Sequence, residues 1–113
     1  MATNWKAQLH NEFKMAEEAL NAKNQGKMRV CARRAAGISI REYLTARGIA
    51  PPSVSAYDLL KYLDGMDDTP ADLRQASAHL RLRVTEEFRL PINVDLVAEA
   101  KKIVFTLTPD WDK

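Results

Sequence analysis

An all-α bundle of four or five helices, up-and-down and antiparallel, is the architecture this sequence predicts. Three observations carry it. Apolar residues recur at spacings of three and four along most of the 113 residues, the mark of one-sided helices. Polar–apolar alternation never lasts long enough for a strand. Short breakers separate the periodic segments, and short links between amphipathic helices favour antiparallel neighbours.

The first helix is expected from about Asn4 to Lys23, with Trp5, Leu9, Phe13, Ala16 and Leu20 on one face. Asn24-Gln25-Gly26 reads as its break, Gly26 permitting a left-handed turn. The second runs from about Lys27 to Arg47 and is apolar on two sides: Met28, Cys31, Ala35 and Ile38 form one stripe, Val30, Gly37, Ile40 and Leu44 another. A helix of that kind is packed on two sides. Its small patch Ala35, Ala36 and Gly37 admits a close neighbour and is the candidate dimer interface. Gly48 stands where a capping glycine belongs, and Pro51-Pro52 prevents continuation. Ser53 or Ser55 then caps a third helix to about Met66, carried by Ala56, Leu59, Leu60, Leu63 and Met66 and flanked by Tyr57 and Tyr62. Thr69-Pro70-Ala71-Asp72 has the composition of a helix start. The fourth helix follows through Leu73, Ala76, Leu80 and Val84 to roughly Phe88, and Pro91 breaks it. The fifth starts at Asn93 or a neighbour, with a stripe of Leu96 or Val97, Ala100, Ile103 or Val104, and Leu107. Residues 108–113 are left as a tail, and the whole chain, 1–113, is expected to be one domain.

No apolar run reaches the roughly 20 residues of a membrane span. Lys6, His10 and Glu12 occupy the stretch where a signal peptide would be apolar, so a cytoplasmic protein is expected. Cys31 is the sole cysteine, which leaves no intrachain disulfide, and it reads as a small buried helical residue. Net charge is +2, yet residues 1–50 hold nine Lys/Arg against four acids and residues 51–113 hold eight against eleven. That asymmetry favours an anionic partner or a complementary second copy.

Most site chemistries are excluded. Gly26, Gly37, Gly48 and Gly65 are isolated, so neither a P-loop nor a dinucleotide fingerprint exists. His10 and His79 are the only histidines, and no helix pair offers the Glu-x-x-His sets of a di-metal bundle. No metal and no cofactor are therefore expected. Arginines remain: Arg33, Arg34 and Arg41 on the second helix and Arg81 and Arg83 on the fourth are the candidate ligand-binding residues. The planar guanidinium suits phosphate because it donates two parallel hydrogen bonds. The plainer alternative is a solvated face paired with Glu42, Glu86 and Glu87.

From Met28 to Leu63 the sequence resembles the HEPN (higher eukaryote and prokaryote nucleotide-binding) family. The resemblance rests on a long Ala- and Arg-rich helix ending in Leu44-Thr45-Ala46-Arg47-Gly48-Ile49, then a short loop and Asp58-Leu59-Leu60-Lys61-Tyr62-Leu63. Leu80 to Leu107 is similar to the family's last two helices, so the match covers about residues 5–107. It implies a helical bundle, often a homodimer. Many members are ribonucleases of toxin–antitoxin or defence systems, some are partners of a minimal nucleotidyltransferase, and others only bind. Active members carry an Arg followed four to six residues later by His. Here Arg83 is the best match to that arginine, Phe88 stands where the histidine belongs, Glu86 and Glu87 fill the window from Arg81, and His79 precedes both arginines. Phe88 can neither give nor take a proton. The expectation is a non-catalytic, dimeric accessory protein that binds nucleotide or RNA weakly. The alternatives are a divergent ribonuclease using Arg83 with Glu86 or Glu87, and a simple nucleic-acid-binding module.

Overall fold

Four of the five helices begin where a side chain accepts the orphan N–H groups of a first turn. In the computed structural model, which describes residues 4–82 and 95–112, these helices are α1 (Trp5–Asn21), α2 (Gln25–Ala46), α3 (Ala56–Asp64), α4 (Ala71–Leu80) and α5 (Leu96–Leu107). The caps are Asn4, Asn24, Ser55 and Asp95. Helix α4 is the exception. Thr69, expected as its cap, instead donates its hydroxyl to the Leu63 carbonyl at 2.8 Å, so Pro70 takes the N-cap position with no capping side chain. The described residues contain helices, turns and loops and no strand.

Helix ends corrected several expectations. The break after α1 falls at residues 22–24, and Gly26 lies inside α2. The left-handed residue is Lys23, with φ of 59°. Lys23 N–H bonds Leu20 O at 3.0 Å and Asn24 N–H bonds Ala19 O at 2.8 Å, a Schellman closure. The same closure ends α2, where Gly48 has φ of 75° and Ile49 N–H reaches Leu44 O at 2.9 Å. Helix α4 was expected to reach Phe88, but it stops at Leu80. Carbonyls at and just past its end are taken by α2: Arg33 Nε donates to Leu80 O at 3.0 Å and Arg29 Nη1 to Leu82 O at 3.2 Å. Residues 83–88 of that expected helix, and Asn93 as the start of the fifth, lie outside the described residues.

Helix α2 is the centre of the bundle. It packs against α1, α3 and α5, while α4 closes the ring between α3 and α5. Helices consecutive in the chain run in opposite senses at α1–α2, α3–α4 and α4–α5, and the link from α2 to α3 is the exception. Gly37 lies against Ala56, the first residue of α3. Tyr43 and Arg47 share a depression with Leu63 and Met66 at its far end. Helix α3 therefore runs beside α2 in the same sense, after residues 47–55 have carried the chain back. Gly37 permits this approach: a Cβ there would stand 2.9 Å from Ala56 Cβ and 3.1 Å from its Cα.

The core is made of Leu9, Phe13 and Ala16 from α1, the small face Ala32, Ala35 and Ala36 of α2, and the leucines of α3 and α4. Helix α5 contributes Leu96, Val97, Ala100, Ile103 and Val104, as its periodicity predicts. In α1 the buried stripe is completed by Ala19, whereas Leu20 remains 49% exposed. Two buried hydroxyls tie helices together. Thr108 Oγ1 donates to Val104 O at 3.0 Å, which leaves it to accept from Ser39 Oγ at 2.8 Å. Ser77 Oγ donates to Leu60 O at 2.7 Å. The tail packs on the bundle: Trp111 is buried at 6% exposure, its ring against Phe13, Phe105 and His10 at centroid separations of 5.3, 5.4 and 4.7 Å.

Candidate functional site

Helices α1 and α3 flank the same length of α2 without touching each other. The space between them is a groove of about 620 Å³. Its floor is the outward stripe of α2, Val30, Arg34, Ile38 and Arg41, at helical spacing. One wall is the polar edge of α1, Gln8, Asn11 and Glu12; the opposite rim is Val54 and the first turn of α3 with Tyr57.

Arg33, Arg34 and Arg41 are thus brought to one site, as the sequence suggests. They differ in commitment. Arg33 sits at the inner end, holding the α4 carbonyl, with its guanidinium carbon 5.8 Å from the centre of the Tyr57 ring. Arg34 faces Glu12, on whose carboxyl its charge acts, and Arg41 lies further along the floor. They are seven residues apart, so their Cα atoms lie about 10 Å apart along the helix axis. The positive end of α3 adds to this field, since Ser55, Ala56 and Tyr57 all line the rim and the first N–H groups of a helix attract anions.

The other two candidates are elsewhere. Arg81 is paired with Asp64 at 2.8 Å, tying α3 to the end of α4, and does not line the groove. Arg83 lies outside the described residues, as do Glu86, Glu87 and Phe88. The candidate interface patch is consumed within the chain. Ala35 and Ala36 have no exposed surface, and Gly37 is taken up by Ala56, so Ala35 and Ala36 have none to offer a second copy.

Glu12 is the groove's one carboxylate, and its position was not anticipated. Burial raises its pKa above the ordinary carboxylate range, against the lowering pull of Arg34 and a hydrogen bond with Cys31. Cys31 answers in kind: burial, and then the Glu12 charge, push its thiol pKa up, which makes it a poor nucleophile. The available signal for this wall was Gln8, Asn11 and Glu12 at i, i+3 and i+4, a polar strip beside the apolar stripe. Tyr57 gave none beyond flanking its helix.

Neither histidine lines the groove. His10 stacks on Trp111, and His79 Nδ1 is 2.9 Å from Glu99 Oε1. Among the described residues no three His, Cys, Asp or Glu side chains come together as a metal site. No described helix is long and apolar enough to cross a membrane. No family model, curated protein or solved structure matches the chain.

Proposed function

We propose that this chain is a non-catalytic accessory bundle of the HEPN-like kind its sequence resembles, binding the phosphates of a nucleotide or RNA in the groove between α1, α2 and α3. The observation that carries the reading is the gathering of Arg33, Arg34 and Arg41 in one groove beside the positive end of α3. Arg34, beside Glu12, and Arg41 stand on the floor of that groove, and guanidinium groups are apt donors for phosphate. The non-catalytic half is supported by the histidines, neither of which lines the groove, and by Phe88 in the position where the resemblance calls for a proton carrier. An accessory protein of this kind works as a homodimer or beside a catalytic partner such as a minimal nucleotidyltransferase.

The test is fluorescence anisotropy with labelled single-stranded RNA and nucleotides. Arg34→Ala with Arg41→Ala is expected to lower affinity by about tenfold or more while leaving helicity unchanged. Equal binding by this variant and its parent would overturn the groove reading. Cleavage of the same RNA by the parent chain would overturn the non-catalytic one.

A further inference from the structure

Glu12 is the groove's one carboxylate, and its two oxygens have little to hold. The carboxyl accepts from the Cys31 thiol, which is itself buried in α2. Its Oε2 is buried with no hydrogen-bond partner among the described residues. A charged oxygen placed there lacks the donors that water would give it, so the neutral acid is the better tolerated form. The ionised form is kept accessible by Arg34, whose charge acts on the same carboxyl. Arg34 is therefore shared: the groove's own carboxylate and an incoming anion draw on one guanidinium.

We infer that Glu12 is a proton-operated gate on the groove, a regulation that rests on the anion-binding reading above: ionised, it occupies Arg34 and opposes an anion, and protonated, it releases Arg34 to that anion. Reciprocity follows. An anion drawn to Arg34 favours the proton on Glu12, so binding takes up a proton, and affinity falls as pH climbs through the range in which Glu12 ionises. Burial lifts that range above the ordinary carboxylate one. The surrounding groups leave Glu12 as the groove's titrating element. From α2 it is faced by Arg34 and Cys31, with Lys27 acting on the thiol. Guanidinium groups hold their charge throughout, and the thiol, its pKa pushed up by burial and then by Glu12, stays neutral. From α5, the other helix packed on α1, Lys101 is paired with Glu17, and from the tail Asp110 is paired with Lys6. Across the groove stand Arg33, Arg41 and Tyr57.

The gate is tested with two probes that keep one charge state over the whole range, sulfate and a short uridylate RNA. Their affinities are measured at constant ionic strength from about pH 4.5 to about pH 8, with helicity followed by circular dichroism at each pH. The parent chain is expected to bind roughly tenfold more tightly at the acid end. Glu12→Gln, a neutral replacement of nearly the same shape, is expected to bind at the upper end as tightly as the parent does in acid, with the step in the profile gone. Arg34→Ala should bind weakly at every pH and also lack the step. Glu17→Gln, outside the groove, should keep the parent's profile, which separates the gate from the overall gain of positive charge in acid. A Glu12→Gln profile parallel to the parent's would overturn the gate and leave the groove reading standing. Binding of neither probe by parent or variant at any pH would overturn both.

Discussion

Three side chains store consequences that a sequence pattern does not display. Lys23 holds the left-handed position that closes α1, with φ of 59°, a conformation that costs a side-chain-bearing residue about 1 kcal/mol relative to glycine. Lys23→Gly is expected to stabilise the fold by about 0.5–1 kcal/mol, read as a higher urea midpoint at unchanged slope. Trp111 fills the space between α1 and α5, so Trp111→Ala should cost about 3–5 kcal/mol in the same experiment. Trp111→Phe should cost less, because the indole N–H finds no acceptor among the described residues. Glu12 sets a pH dependence. Its folded pKa is raised, chiefly by burial. In acid, folded and unfolded chains both hold the proton and nothing is lost. As pH climbs from the ordinary carboxylate range through the raised folded value, the unfolded chain ionises first and stability falls, then stays constant above it. Glu12→Gln should therefore raise the melting temperature at neutral pH and give no advantage at about pH 3. The opposite pattern would mean that Arg34 dominates the site.

At the scale of elements, periodicity identified the helices because a buried face needs nothing but spacing to be seen. Leu9, Phe13 and Ala16 in α1, or Ala100 and Ile103 in α5, are buried as their positions in the chain require. Endings were less legible, since they depend on partners far away in sequence. Helix α4 stops at Leu80, where guanidinium groups from α2 take the carbonyls of Leu80 and Leu82, and Thr69 is drawn from capping by a carbonyl of α3. Gly37 shows the same limit. Its smallness was visible, and that it serves α3 within the chain was not. Gly37→Ala gains roughly 1 kcal/mol of helix propensity and drives a methyl group into Ala56. We expect a net loss of about 1–2 kcal/mol in chemical denaturation, accompanied by weaker ligand binding, because Ala56 is part of the groove's rim.

The whole molecule converts a mild net charge of +2 into a local field. The excess of Lys/Arg in residues 1–50 was legible, and so was the α2 arginine cluster. The groove was not, because it exists only where α1 and α3 fail to meet across α2. Periodicity assigns a helix its inner face but neither its neighbours nor its direction. If phosphates bind there, the logarithm of affinity should fall linearly with the logarithm of salt concentration, with a slope of about 0.7 per contact on a single strand. Arg34→Ala or Arg41→Ala should each flatten that slope by about 0.7, whereas Arg81→Ala, which breaks the pair with Asp64, should change stability and leave the slope alone.

The shared sense of α2 and α3 makes residues 47–55 a matter of reach. From the end of α2 the chain must return about 14 Å along the axis to bring Ala56 beside Gly37. It must also move sideways by about 8–10 Å, the separation of packed helices. Five extended residues, at about 3.3 Å each, are just enough, and three are not. The natural link has slack, and Pro51-Pro52 spends part of it on stiffness. Cut to three residues, it would leave α3 only the hairpin arrangement, with its leucines still turned to the core but Ser55 and Tyr57 carried to the opposite pole. Such a chain should keep its circular dichroism spectrum while the groove is lost, so the length of one loop decides whether a stable bundle also presents that groove.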